Sequence, residues 1–198
     1  SSGTVEWGGS ESTSAKRYQA MVFQRPIMLR RSVFANLDHA LKHRGMKKSE
    51  RIGKIDEILS YTGLTRLAKI SARLLSVGEQ QRLAVARAWS LDPEVLFLDE
   101  PTAALDPAAT HSLEEIIDLI SKSGTKVIMS THDLGQAKRL ADEILFLNRG
   151  RLLEKANGDQ FFDEPKNDLA RSFIRGELLW WHRQELKPPD KFNNPKDS

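Results

Sequence analysis

Asp99 and Glu100 stand side by side at the end of the apolar run Val95, Leu96, Phe97, Leu98. A buried strand that ends in carboxylates delivers them to the edge of an open α/β sheet where ligands bind. There the first acid can hold Mg²⁺ through water, since magnesium gives up its hydration shell reluctantly. The second, on the opposite side of the strand's alternation, can polarise an attacking water. Taken alone, two acids after an apolar run can also do no more than end a strand and open a turn. Upstream, Ser76 and Glu79 have the S-x-x-E spacing of a helix capping box. Capping explains those two residues but not Gly78 between them, which weakens a helix and is most useful where something must approach the backbone. The amides and positive end of that helix suit an anion, above all a phosphate. One helix start can be both well capped and phosphate-facing.

Positioning these groups requires alternating strands and helices, and the sequence has them. Residues 1–17 are rich in Gly and Ser and polar apart from Val5 and Trp7, leaving room for at most one short strand. The run 20–23 has strand character. Apolar residues then recur at helical spacing over 32–40, with Val33, Leu37 and onward to Leu41, and over 49–61, with Ile52, Ile55, Ile58 and Leu59. Gly63 occupies the usual C-terminal glycine position. A helix over 79–90, a turn at Asp92-Pro93 and a buried strand over 95–98 follow. Asp106 before Pro107 is an N-cap with proline at the first helical position; Leu113, Ile116, Ile117 and Ile120 form that helix's buried face, and Gly124 ends it. Next come a strand over 126–130, a helix over 133–140, a strand over 143–147, the turn Asn148-Arg149-Gly150, one more strand, and a helix near 169–174. The pattern predicts an α/β fold with an open, mostly parallel sheet, carrying the helical insert between Gln24 and Ser90 as a lobe. Residues 1–180 read as one domain, and 181–198 as a polar tail predicted to be disordered.

The 198 residues, 39% of them apolar, suffice for one sizeable core. A balance of 30 basic against 27 acidic residues leaves only +3, with the two signs interspersed, so nucleic acid is not an expected partner despite a pI near 9.2. The absence of cysteine excludes disulfides and thiolate metal sites and fits a reducing compartment. No apolar run approaches the roughly 20 residues that span a bilayer, so any membrane role is expected to be peripheral, and no export signal is evident. The first methionine is Met21, which gives the start at Ser1 the look of a cut. Lys42, Lys47, Lys48, Arg51 and Lys54 read as a solvated helix face, and Trp180-Trp181 as a tail packing one indole on the core.

On residues 74–107, LLSVGEQQRLAVARAWSLDPEVLFLDEPTAALDP, the chain resembles the nucleotide-binding subunit of an ATP-binding cassette (ABC) transporter. Leu75 to Gln80 is similar to the L-S-G-G-Q signature, with Val77 for its first glycine and Glu79 for its glutamine. Val95 to Glu100 matches the Walker B strand, Ala104-Leu105-Asp106 the D-loop, Ser130-Thr131-His132-Asp133 the switch histidine and Met21-Val22-Phe23-Gln24 the Q-loop. The resemblance implies a P-loop NTPase (RecA-like) fold with a helical subdomain over about 25–90, and ATP with Mg²⁺ as cofactors. It implies that Glu100 orients or deprotonates water, that His132 contacts the γ-phosphate, and that Asp99 and Gln24 lie on the magnesium side. Asp106 would cross a dimer interface beside its capping role, while Ser76, Gly78 and Glu79 would face ATP held by a partner subunit. Singly, a Gln before Arg25-Pro26 is a turn residue and a His at a strand end a structural one. Val77 adds a side chain where the family brings backbone to phosphate. Glu79 brings a carboxylate near a triphosphate, which is unfavourable unless it is paired.

No G-x-x-x-x-G-K-S/T phosphate loop occurs in the 198 residues. Without its amides and lysine nothing in this sequence neutralises β- and γ-phosphates in cis, and phosphoryl transfer depends mostly on such positioning. The resemblance thus implies a fragment of a complete ATPase subunit, lacking its N-terminal strands and phosphate loop, inactive alone, with a sheet edge opened beside the strand leading to His132. The other reading is a catalytically silent partner that lends its signature helix to a full-length subunit. Residues 19–26, 28–33, 131–137 and 173–180 are similar to tungstate-importer ATPases, with molybdate and phosphate importers close beside them. The implied partners are a second ATPase subunit in a dimer, transmembrane permease subunits and a periplasmic or extracellular solute-binding protein. The implied location is the cytoplasmic face of the cell membrane.

Overall fold

The computed structural model describes residues 18–177. Readings placed on residues 1–17 and 178–198, the Trp180-Trp181 pair and the polar tail among them, lie outside that range. The chain divides into two compact units, 1–133 and 134–198.

In the first unit, β1 (Gln19–Val22), β2 (Val95–Asp99) and β3 (Lys126–Ser130) pair in the order β1-β2-β3. All are parallel, with Val22 opposite Leu98, Leu98 opposite Met129 and Asp99 opposite Ser130. Parallel pairing brings the three C-terminal ends to one edge, where the residues after each strand meet. The pleat sends Val22, Leu96 and Leu98 into the core, while Met21 and Ile128 stay half exposed on the other face. Among the described residues, β1 and β3 are the edges of this sheet.

The lobe is helical where the apolar spacing predicts it, except that Ile52, counted in that spacing, is 45% exposed and outside the core. The helix α1 (Val33–His43) starts where the Ser32 hydroxyl accepts from the Ala35 N–H. The helix α2 (Lys48–Tyr61) ends in Gly63 at φ 66, where Leu64 N–H reaches Leu59 O and Gly63 N–H reaches Ser60 O, the paired bonds of a Schellman cap. Val33, Leu37, Leu41, Ile55, Leu59 and Leu64 fill the lobe's core, all within 1% of full burial. Asn36, fully buried, is a polar exception with a purpose. Its amide donates to Ser32 O, Arg31 O and Leu29 O and its oxygen accepts from Leu29 N–H, tying down the loop that follows Gln24.

The helix α3 (Val77–Trp89) belongs to both cores. Leu83 and Ala86 pack into the lobe, whereas Ala84, Val85 and Ala88 pack against the sheet and α4 (Pro107–Lys122). Alanines at 84, 86 and 88 bring the two layers close on one helix, and Trp89 and Met28 pack against both cores. The helix starts at Val77, two residues before the expected start at Glu79, because the Ser76 cap organises the turn in between.

To the open, mostly parallel sheet that the strand–helix alternation predicts, the second unit adds a two-stranded sheet of its own. After α5 (Leu134–Leu140), β4 (Glu143–Asn148) and β5 (Arg151–Asn157) pair antiparallel with each other as a separate hairpin. The turn decides this: Arg149 and Gly150 take φ 50 and 73, the two left-handed positions of a tight hairpin loop. Two short helices complete the unit, α6 (Gly158–Asp163), which the sequence reading missed, and α7 (Asp168–Ile174). Phe146, Ala156, Phe161 and Ala170 form its core. Gly158 is compulsory here, since a Cβ on it would lie 2.4 Å from the Ala141 carbonyl oxygen.

Candidate functional site

Glu100 is the hub of the strand edge. Leaving β2, its backbone turns to φ 41, a left-handed conformation that costs a non-glycine residue about 1–3 kcal/mol and recurs at functional sites. The following Pro101 closes the right-handed helical alternative. The turn aims the carboxylate between the segments after β1 and β3. Gln24 Nε2 donates to Glu100 Oε2 at 3.4 Å, and His132 Nδ1 lies 3.1 Å from the same oxygen. Glu100 is one-third exposed and His132 72% exposed, so the group opens to solvent where a ligand could enter. Beside it, Asp99 Oδ1 accepts from the Ser130 hydroxyl at 2.7 Å. Four predicted residues, Gln24, Asp99, Glu100 and His132, thus come together at one edge. Ser130 stands among them although sequence reasoning gave it no role of its own.

The remaining predicted residues form a second group at the starts of α3 and α4. Ser76 and Glu79 make a complete capping box: Glu79 Oε2 accepts from Ser76 N–H at 2.8 Å and from Ser76 Oγ at 2.9 Å, and Glu79 N–H returns to Ser76 Oγ at 3.3 Å. The carboxylate that replaces the signature glutamine is therefore paired within its own helix turn. Asp106 caps α4 through a 2.9 Å bond from Ala109 N–H. Gly78 joins the two helix starts, since a Cβ there would sit 2.9 Å from Ala109 Cβ and 3.9 Å from Leu105 Cδ2. Its bareness has a reason inside the chain, in addition to any approach of phosphate. Val77, the other departure from the signature, is 58% exposed.

The Ser76 backbone and hydroxyl bonds, aided by Arg82 and opposed by partial burial, hold the Glu79 carboxyl below its ordinary value of 4.5. A depressed value means that its contribution to stability is complete above the ordinary value and is lost as pH falls through the depressed one. Glu79→Gln is therefore expected to flatten the acid side of the pH–stability curve, followed by thermal melts from neutral to acid pH. An unchanged slope would remove Glu79 as the linked group.

The family model described as ABC transporter matches residues 1–103, a stretch that ends just beyond Asp99 and Glu100. The chain belongs to the ABC transporter family. This ABC chain is 42% identical over 161 residues to the tungstate uptake system ATP-binding protein TupC of Peptoclostridium acidaminophilum, across 81% of its own length and 74% of the relative's. It is also 42% identical over 163 residues to the phosphate import ATP-binding protein PstB of Mycoplasmoides gallisepticum, across 80% of its own length but only 50% of that relative's. In solved structures it matches cbiO1 of Clostridium perfringens, part of the ABC transporter complex cbiONQ, with a TM-score of 0.71 and 26% identity over 77% of this chain and 62% of that one. The α/β architecture is that of the P-loop NTPase fold. Among the described residues of the ABC chain, no helix is long and apolar enough to cross a membrane.

The donor set at the strand edge suits a magnesium–nucleotide complex better than a resident metal. Among the described residues no three His, Cys, Asp or Glu side chains converge as a self-sufficient cage. Mg²⁺ carried by a nucleotide needs only one or two protein oxygens alongside phosphate and water. Asp99 Oδ2, Gln24 Oε1 and Glu100 Oε1 are the side-chain oxygens of this group that the contacts above leave disengaged.

Proposed function

We propose that this ABC chain is the ATP-hydrolysing side of an importer that moves a small solute, tungstate or a related oxyanion first among the candidates. What carries the reading is Glu100, held between Gln24 and His132 at the C-terminal edge of parallel strands, with Asp99 beside it. Glu100 accepts a proton from the water whose oxygen attacks the γ-phosphorus, while the bond from that phosphorus to the β–γ bridging oxygen breaks and ADP leaves with the electron pair. Gln24, donating to Glu100 through Nε2, turns its amide oxygen toward that water or the metal. His132 turns Nδ1 to Glu100 and leaves Nε2 for the γ-phosphate side of the site. Asp99 holds the magnesium side, where the metal, when bound, neutralises phosphate charge. Ser76, Gly78, Glu79 and Asp106 serve a neighbouring subunit's nucleotide, so the working unit is a dimer seated on membrane permeases and fed by a solute-binding protein.

These 198 residues contain no phosphate loop, which favours a second reading for the chain taken by itself: inactive alone, it lends its signature helix to a subunit that has the loop. The relatives' names give tungstate and phosphate as alternative cargoes. The assay is ATP turnover in vesicles holding the permease, this sequence joined to a phosphate loop, and the solute-binding protein loaded with either oxyanion. Stimulation by tungstate above phosphate is expected. Stimulation by phosphate alone would overturn the cargo, and turnover by the 198-residue chain without any partner would overturn its inactivity.

A further inference from the structure

Ser130 spends both sides of one hydroxyl on two consecutive acids. It donates to Asp99 Oδ1 at 2.7 Å and accepts from the Glu100 N–H at 3.1 Å, while the Ser130 carbonyl accepts from that same N–H at 3.1 Å. The parallel register makes this possible, because Asp99 lies directly opposite Ser130 across β2 and β3. Glu100 N–H is thereby shared between two oxygens of one residue, at the position where the backbone turns left-handed.

We propose that Ser130 is a positioning residue for both acids, a reading that rests on Glu100 as the group that takes the water's proton. The hydroxyl fixes the plane of the Asp99 carboxylate by engaging Oδ1, so that Oδ2 faces the nucleotide's metal. Its lone pair, with the carbonyl, pins the turn that points Glu100 between Gln24 and His132. A serine that merely ends a strand commonly bonds nearby backbone. Here the bonds instead reach across a strand pair to a side chain and a backbone N–H some thirty residues away in sequence, |i−j| of 31 and 30. Threonine keeps the hydroxyl and suits a strand; alanine removes donor and acceptor together.

The test compares Ser130→Ala and Ser130→Thr in a subunit that carries a phosphate loop ahead of this sequence, with Glu100→Gln as the benchmark. Turnover is measured against ATP concentration, and Mn²⁺ affinity in the ADP-bound protein by electron paramagnetic resonance. Ser130→Ala is expected to lower kcat by about ten- to a hundredfold, the scale of a slightly misplaced reacting group, with KM for ATP nearly unchanged. It is also expected to weaken Mn²⁺ binding several-fold, and Ser130→Thr is expected to restore both. Wild-type kcat and Mn²⁺ affinity in Ser130→Ala overturn the proposal, as does a Thr variant no better than Ala. Should Ser130→Ala not fold, Ser130→Cys, which keeps the volume but is a weak donor, is read in its place. Should Glu100→Gln keep full turnover, the reading of Glu100 falls with its half of the clasp, and the Mn²⁺ arm alone decides the Asp99 half.

Discussion

Glu100→Gln, in a chain with a phosphate loop ahead of this sequence, is expected to bind ATP with unchanged affinity and to lose turnover by roughly two to four orders of magnitude, the usual contribution of a positioned general base. The substitution is nearly isosteric. An amide oxygen can still accept from Gln24 Nε2, and the backbone N–H keeps both of its bonds to Ser130. What disappears is the ability to take a proton, together with the charge that faces His132. Because the strand edge should be otherwise intact, a fall in kcat without a rise in KM is the signature to look for. The measurement is steady-state ATPase paired with equilibrium nucleotide binding. Turnover at the wild-type rate would remove Glu100 from the mechanism.

The second large effect is on stability and belongs to Gly78. Gly78→Ala places a methyl group 2.9 Å from Ala109 Cβ, closer than side chains tolerate, at the joint between α3 and α4. Overpacking of this kind costs about 1–3 kcal/mol, against a gain of up to about 1 kcal/mol from replacing a helical glycine with alanine. A melting temperature lower by several degrees is expected for a chain of this size. If the close approach of the helices is what demands glycine, Ala109→Gly in the same molecule makes room, and the double variant melts higher than Gly78→Ala alone despite a second helix-weakening glycine. If the double variant is no more stable, the contact with Ala109 is not the reason for glycine, and only the approach of a ligand to the backbone remains.

Much of this architecture was legible because local signals agreed. The strand Lys126–Ser130 follows a helix-ending Gly124 and matches its expected bounds residue for residue; the Ser76, Asp106 and Gly63 signals mark helix ends where the structure has them. The approach of Gln24, Glu100 and His132 also follows from motif order together with parallel strands. The features that escaped depend on partners far away in sequence. Nothing near Glu100 beyond Pro101 announces its left-handed turn, and the role of Ser130 appears only once the strand register sets it opposite Asp99. Six residues of α6 are too few to show a period. Gln81 and Asn36 carry no sequence signal of burial, yet they are 2% and 0% exposed; Asn36 is fully bonded, while Gln81 Nε2 has no hydrogen-bond partner among the described residues. The hairpin turn was visible, but not that β4 would take β5 as its only strand neighbour among the described residues.

A helix owned by two cores also governs how the first unit comes apart. Leu83 and Ala86 anchor α3 in the lobe, and Ala84, Val85 and Ala88 anchor it under the sheet. Unwinding α3 to free either layer exposes apolar surface in both, so a partly melted state with one layer intact gains little chain freedom for the burial it forfeits. The lobe and the sheet therefore share one cooperative transition, and the capped first turn of α3, with the signature residues on it, keeps its shape until that transition is reached.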